Sequence, residues 1–100
     1  MATYMMLWTY TDEGRRNIKQ SPPRFDDNKE DFQALGGTIK GFYLTTGNFD
    51  GVMIVEAPDE QTIAKLSLLA SSKGFIRTQI LRAYSEDEYR QIIDAVPSTS

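Results

Sequence analysis

Arg77 stands in the run FIRTQILRAY among apolar neighbours, and a guanidinium on a packed surface calls for a carboxylate partner or an anionic ligand. Arg82, five positions on, projects to the opposite side of an unbroken strand, so one arginine faces the helices and the other the open side. Glu56 and Asp50 are the structural partners available to them. Trp8, Tyr10 and Tyr43 are the residues able to line an aromatic pocket, stacking on a flat apolar ligand while phenolic hydroxyls orient it. The competing reading for such strand aromatics is core or interface packing. Asp50 closes the turn Gly47-Asn48-Phe49-Asp50-Gly51, where a carboxylate can accept backbone N–H bonds and the glycines can supply positive φ. Its functional alternative is a cavity mouth at which Asp50 and Phe49 meet a cationic or hydroxylated ligand.

A fourth group is basic. Arg15, Arg16, Lys19 and Arg24 precede or open a helix start at Ser21, whose free N–H groups favour a phosphate or carboxylate. The plainer reading is a solvated loop paired with Asp12, Glu13, Asp26 and Asp27, and no glycine-rich phosphate loop strengthens the other. With no histidine and no cysteine, the chain lacks imidazole bases, thiolate nucleophiles, disulfides and zinc–thiolate sites. The carboxylates show no spacing that implies a metal cage or an acid/base pair, and no cofactor is implied. A net charge of −3 argues against general nucleic-acid binding. Neither a membrane-spanning apolar run nor a secretory signal pattern is present, which makes the cytoplasm the expected location.

The elements that must position these residues are legible from patterning. Thr3–Tyr10 reads as a strand rich in aromatic and aliphatic types. Ser21-Pro22 opens a helix that runs to Leu35 and stops at Gly36-Gly37. Thr38–Thr46 and Val52–Ala57, joined by the Gly47–Gly51 turn, form an antiparallel hairpin. Asp59 caps a helix over Glu60–Ser72 with Ile63, Leu66 and Ala70 on one face. Phe75–Tyr84 is the last strand, and Ser85-Glu86-Asp87-Glu88 is a capping box opening a short helix with Tyr89, Ile92, Ile93 and Val96 on its apolar side. The plan is α+β: a ferredoxin-like βαββαβ unit with a four-stranded antiparallel sheet plus a C-terminal helix. Residues 1–96 form the single domain and 97–100 a flexible tail.

Both alternating sets of strand residues are apolar, whereas a sheet wetted on one side shows a polar set. The helices cover one face, so the other needs a partner, and a second copy packed sheet against sheet is the simplest. Tyr4, Met6, Trp8, Tyr10 and Tyr43 are the expected lining of that meeting surface.

Three segments resemble bacterial GYD-domain proteins: Tyr10–Arg24 (YTDEGRRNIKQSPPR), Gly36–Asp50 (GGTIKGFYLTTGNFD) followed by Glu56–Asp59, and Ile76–Ser85 (IRTQILRAYS). The likeness spans about residues 2–94. The family's name motif, Gly-Tyr-Asp or Gly-x-Tyr-Asp, reads Gly47-Asn48-Phe49-Asp50 here, which removes a phenol but keeps an aromatic ring. The resemblance implies a dimeric α/β barrel in which two sheets face each other around a cavity; it carries no mechanism. The expected function is a homodimeric module, or a higher homo-oligomer, binding a small aromatic or anionic molecule between or beside the facing sheets. The alternatives are a cofactor-independent isomerase or monooxygenase of the barrel type, and a purely structural or interaction protein.

Overall fold

The computed structural model describes residues 1–98. It contains strands β1 (Ala2–Tyr10), β2 (Thr38–Leu44), β3 (Gly51–Ala57) and β4 (Ile76–Ala83). The helices are α1 (Asp12–Arg16), α2 (Ser21–Ala34), α3 (Glu60–Ser72) and α4 (Glu86–Ala95). The strands lie in the order β2-β3-β1-β4, and every neighbouring pair is antiparallel. With α2 joining β1 to β2 and α3 joining β3 to β4, this is the ferredoxin-like arrangement that the patterning predicts. The expected tail reaches Thr99 and Ser100, which lie outside the described residues.

The core forms between the sheet and the helices α2 and α3. Tyr4, Met6 and Trp8 of β1 and Met53, Val55 and Ala57 of β3 pack with Phe32 of α2 and Ile63, Leu66 and Ala70 of α3. Here the expected lining of the open face is overturned: Tyr4, Met6 and Trp8 are buried under the helices, and Tyr10 packs against the same cluster. The physical reason is room. Trp8 pairs across the sheet with Gly51, and a Cβ at Gly51 would lie 2.0 Å from the indole ring. The large side chain therefore goes to the face where its neighbour has none. The open face carries the smaller set, Met5, Leu7, Val52, Ile54 and Leu81, with Tyr43 beside Val52.

Strand β2 departs from simple alternation. A bulge between Ile39 and Gly41 brings Ile39 opposite Val55 and Phe42 opposite Met53, so both face the helices. Simple alternation would send residues 39 and 42 to opposite sides; the bulge puts them on the same one.

The polar segment after β1 is ordered rather than irregular. Thr11 caps α1 by accepting from the Gly14 N–H at 3.1 Å. Gly14 sits where a Cβ would be 2.1 Å from the Phe75 carbonyl oxygen, so it is a point of close contact between α1 and the start of β4. A 3-10 turn, Ile18–Gln20, then runs directly into α2, and the Ser21 N–H is satisfied by the Ile18 carbonyl. Ser21 is accordingly the first helical residue and not the cap, which leaves its hydroxyl free for a tertiary contact.

The capping residues expected for the other two helices hold. The Asp59 carboxylate accepts from the Thr62 N–H at 2.8 Å, and Ser85 and Glu88 form the reciprocal capping box. No residue of α4 is buried. The radius of gyration, 15.6 Å, exceeds the value of about 13 Å typical of a compact chain of this length, and the long axis extends 55 Å.

Candidate functional site

The C-terminal end of β1 delivers Trp8 and Tyr10 to the helix side of the sheet, at the point where α2 begins. Between them lies a cavity of about 40 Å³, lined by residues of six elements and of the turn between α3 and β4. Its walls are aromatic. The Trp8 and Phe42 rings stack with centroids 5.0 Å apart, and Phe42 stacks in turn on Phe25 at 4.0 Å. Phe75 lies under the Arg24 guanidinium, whose carbon is 4.1 Å from the ring centroid.

The polar groups of the cavity come chiefly from one helix face. Ser21, Arg24, Phe25 and Asn28 follow each other at helical spacing along α2, so a single amphipathic face supplies them. The Ser21 hydroxyl is 3.0 Å from the Tyr10 hydroxyl. Arg24 Nη1 donates to the Asn17 carbonyl at 3.1 Å, while Nη2 is buried without an acceptor among the described residues. Lys73 donates to the buried Asn28 Oδ1 at 3.4 Å and pairs with Asp31 at 3.7 Å. The arrangement offers donors and flat apolar walls, which suits binding.

Asp50 stands behind this site rather than in it. Its Oδ2 accepts from the Tyr10 N–H at 2.8 Å, and its own N–H donates to the Trp8 carbonyl at 2.8 Å. The pairing of β3 with β1 thereby continues one residue past Gly51 and fixes the backbone of both cavity aromatics. Arg15 approaches the same carboxylate at 3.6 Å but is largely exposed. Of the two turn glycines, Gly47 has a positive φ of 102°; Gly51 does not and is required for the room it leaves Trp8.

Tyr43 and Arg77 lie on the open face, on the two edge strands β2 and β4. Two strands separate them, roughly 14 Å across the sheet, so they do not converge with each other or with Trp8 and Tyr10. Arg77 pairs across the sheet with Thr9 and is exposed. Arg82 faces the helix side, where it donates to the Thr3 carbonyl at 3.1 Å, pairs with Glu88 at 3.4 Å and covers the Tyr84 ring at 4.3 Å.

Sequence reading missed Phe25, Asn28, Phe42, Lys73 and Phe75 as cavity residues. The signal for two of them was the spacing Ser21, Arg24, Phe25, Asn28. Phe42 was hidden by the bulge, and Lys73 and Phe75 by their place in a junction. The basic cluster is also divided: Arg16 pairs with Glu13 at 2.8 Å and Arg15 approaches Asp50, while Arg24 lines the cavity.

The carboxylates whose pKa is displaced are held by local structure. Glu13 lies below the ordinary value through its hydrogen bond and charge contact with Arg16. Asp59 is lowered by the Thr62 backbone and hydroxyl bonds, and Glu88 chiefly by the Ser85 backbone bond. Among the described residues no group of three carboxylates is placed to hold a metal ion, and no helix is long and apolar enough to cross a membrane.

Fold and site together define a ferredoxin-like α+β domain with one covered and one bare sheet face and an aromatic-walled cavity on the covered side. The chain belongs to the GYD domain family, whose model matches residues 4–93. It is 33% identical over 84 residues to the glutamine synthetase and cystathionine beta-lyase binding protein of Thermus thermophilus, a match covering 83% of this chain and 88% of that protein.

Proposed function

We propose that this chain is a non-catalytic binding module that works as a homodimer or larger homo-oligomer, joined through the open sheet face. The observation that supports it is the bare apolar strip of Met5, Leu7, Val52, Ile54 and Leu81 on the side away from α2 and α3. Contiguous apolar area of this kind, centred on the two inner strands, is the substrate for sheet-on-sheet packing at about 10 Å. A second copy is favoured as occupant because the chain has two surfaces to cover. Tyr89, Ile92 and Ile93 of α4 are each about half exposed, and a two-fold partner can cover both strip and helix at once.

A protein partner beyond the second copy is supported by the Thermus thermophilus relative, which is named for binding two enzymes. In that reading the assembled module docks on a larger protein in the cytoplasm. The cavity at Trp8 and Tyr10 provides a second ligand site, for a small molecule, on the helix side of each copy.

Light scattering coupled to size exclusion tests the core of the reading. A mass of at least twice 11.3 kDa is expected at micromolar concentration, and a clean monomer would refute it.

A further inference from the structure

We propose that the cavity beneath α2 binds a small carboxylate, anchored by the Arg24 guanidinium; this rests on the reading of that cavity as a ligand site. Arg24 Nη2 is buried and has no hydrogen-bond acceptor among the described residues. No ion pair joins Arg24 to a carboxylate among the described residues. Arg24 is part-buried and its guanidinium keeps its charge, so an anion in the cavity would supply the acceptor that Nη2 lacks. Its Nη1 bond to Asn17 and its seat on Phe75 fix the guanidinium before any ligand arrives.

The surroundings select the anion. Tyr10 and Ser21 share one hydrogen bond at 3.0 Å, and two hydroxyls carry two hydrogens, so one remains to donate. Lys73 adds a second cation to the lining, partly offset by Asp31 at 3.7 Å. A guanidinium edge matches the two oxygens of a planar carboxylate, and Trp8, Phe25 and Phe42 accept a short apolar body. The enclosed space of about 40 Å³ suits a short apolar body beside the carboxylate.

Trp8 is the sole tryptophan and lines the cavity, so its fluorescence reports occupancy in the intact chain. The probes are propionate, its uncharged isostere propionamide, and inorganic phosphate, each titrated into the purified protein and repeated by calorimetry. Propionate is expected to bind saturably. Propionamide, and propionate with Arg24→Gln, are expected to bind at least about tenfold more weakly, as the loss of a charge-assisted bond predicts. Arg16→Gln, which lies outside the cavity, is expected to match the unmodified chain. If Arg24→Gln does not fold by circular dichroism, the contrast between propionate and propionamide decides alone. Propionamide or phosphate binding as tightly as propionate overturns the carboxylate assignment while the small-molecule reading stands. Absence of saturable binding for all three probes overturns both.

Discussion

Trp8 and Gly51 illustrate how a single missing side chain directs a strand. With a Cβ at Gly51 placed 2.0 Å from the indole, Gly51→Ala must displace Trp8 and with it the stack on Phe42. Overpacking of this kind is expected to cost about 1–3 kcal/mol in urea denaturation, with a shifted Trp8 emission. Asp50 acts through its carboxylate on the Tyr10 N–H. Asp50→Ala removes the acceptor and is expected to cost about 1–2 kcal/mol; Asp50→Asn, which keeps an acceptor oxygen, is expected to cost less. Equal losses in the two variants would mean that the hydrogen bond is not what makes Asp50 matter. The types of these residues were readable from the chain, as was the structural role of Asp50 as a backbone acceptor. Which face Trp8 occupies was not, because both alternating sets of β1 are apolar and only the register with β3 separates them.

At the scale of elements, local chemistry and tertiary context divide the work. The caps of α3 and α4 were legible because Asp59 and the Ser85–Glu88 pair act within one turn. These caps also contribute to the pH dependence of stability. Asp59 and Glu88 are held below their ordinary values of 3.8 and 4.5 by hydrogen bonds to the ionised form. A folded pKa below the unfolded one contributes stability above the ordinary value and loses it as pH falls through the lowered one. The melting temperature is therefore expected to drop as pH is lowered from about 5 through the ordinary carboxylate values and below them. Asp59→Ser keeps a capping oxygen but removes a titrating group, so its melting temperature should fall less over the same range. A parallel acid limb in that variant would rule out the cap as a source of the dependence. Helix α1 and the bulge of β2 were not legible. The first is five residues long, too short for apolar spacing to mark it, and is seated by Gly14 against Phe75; the second depends on the pairing of β2 with β3.

For the whole molecule the consequence is association. Leu81 is 41% exposed within the chain and lies on the bare face, so Leu81→Lys should leave the monomer fold intact while placing a charge in the meeting surface. A shift toward monomer in light scattering, with unchanged circular dichroism, is the expected outcome. Ile92→Lys tests α4 in the same way, since Ile92 is 45% exposed and belongs to a helix with no buried residue. If neither variant changes the mass of the particle, association uses another surface.

The sequence by itself determined the four strands and helices α2, α3 and α4, their order and hence the βαββαβ plan, because strand alternation, helix spacing and capping residues act over a few positions. It also determined that two apolar faces exist, since both residue sets of β1 and β3 are hydrophobic. The tertiary structure decided which face is the core and which is bare, through the fit of Trp8 over Gly51. It alone gathered Tyr10, Ser21, Arg24, Asn28 and Lys73 around one cavity, because pairing register and helix docking bring together residues whose separation along the chain carries no local signature.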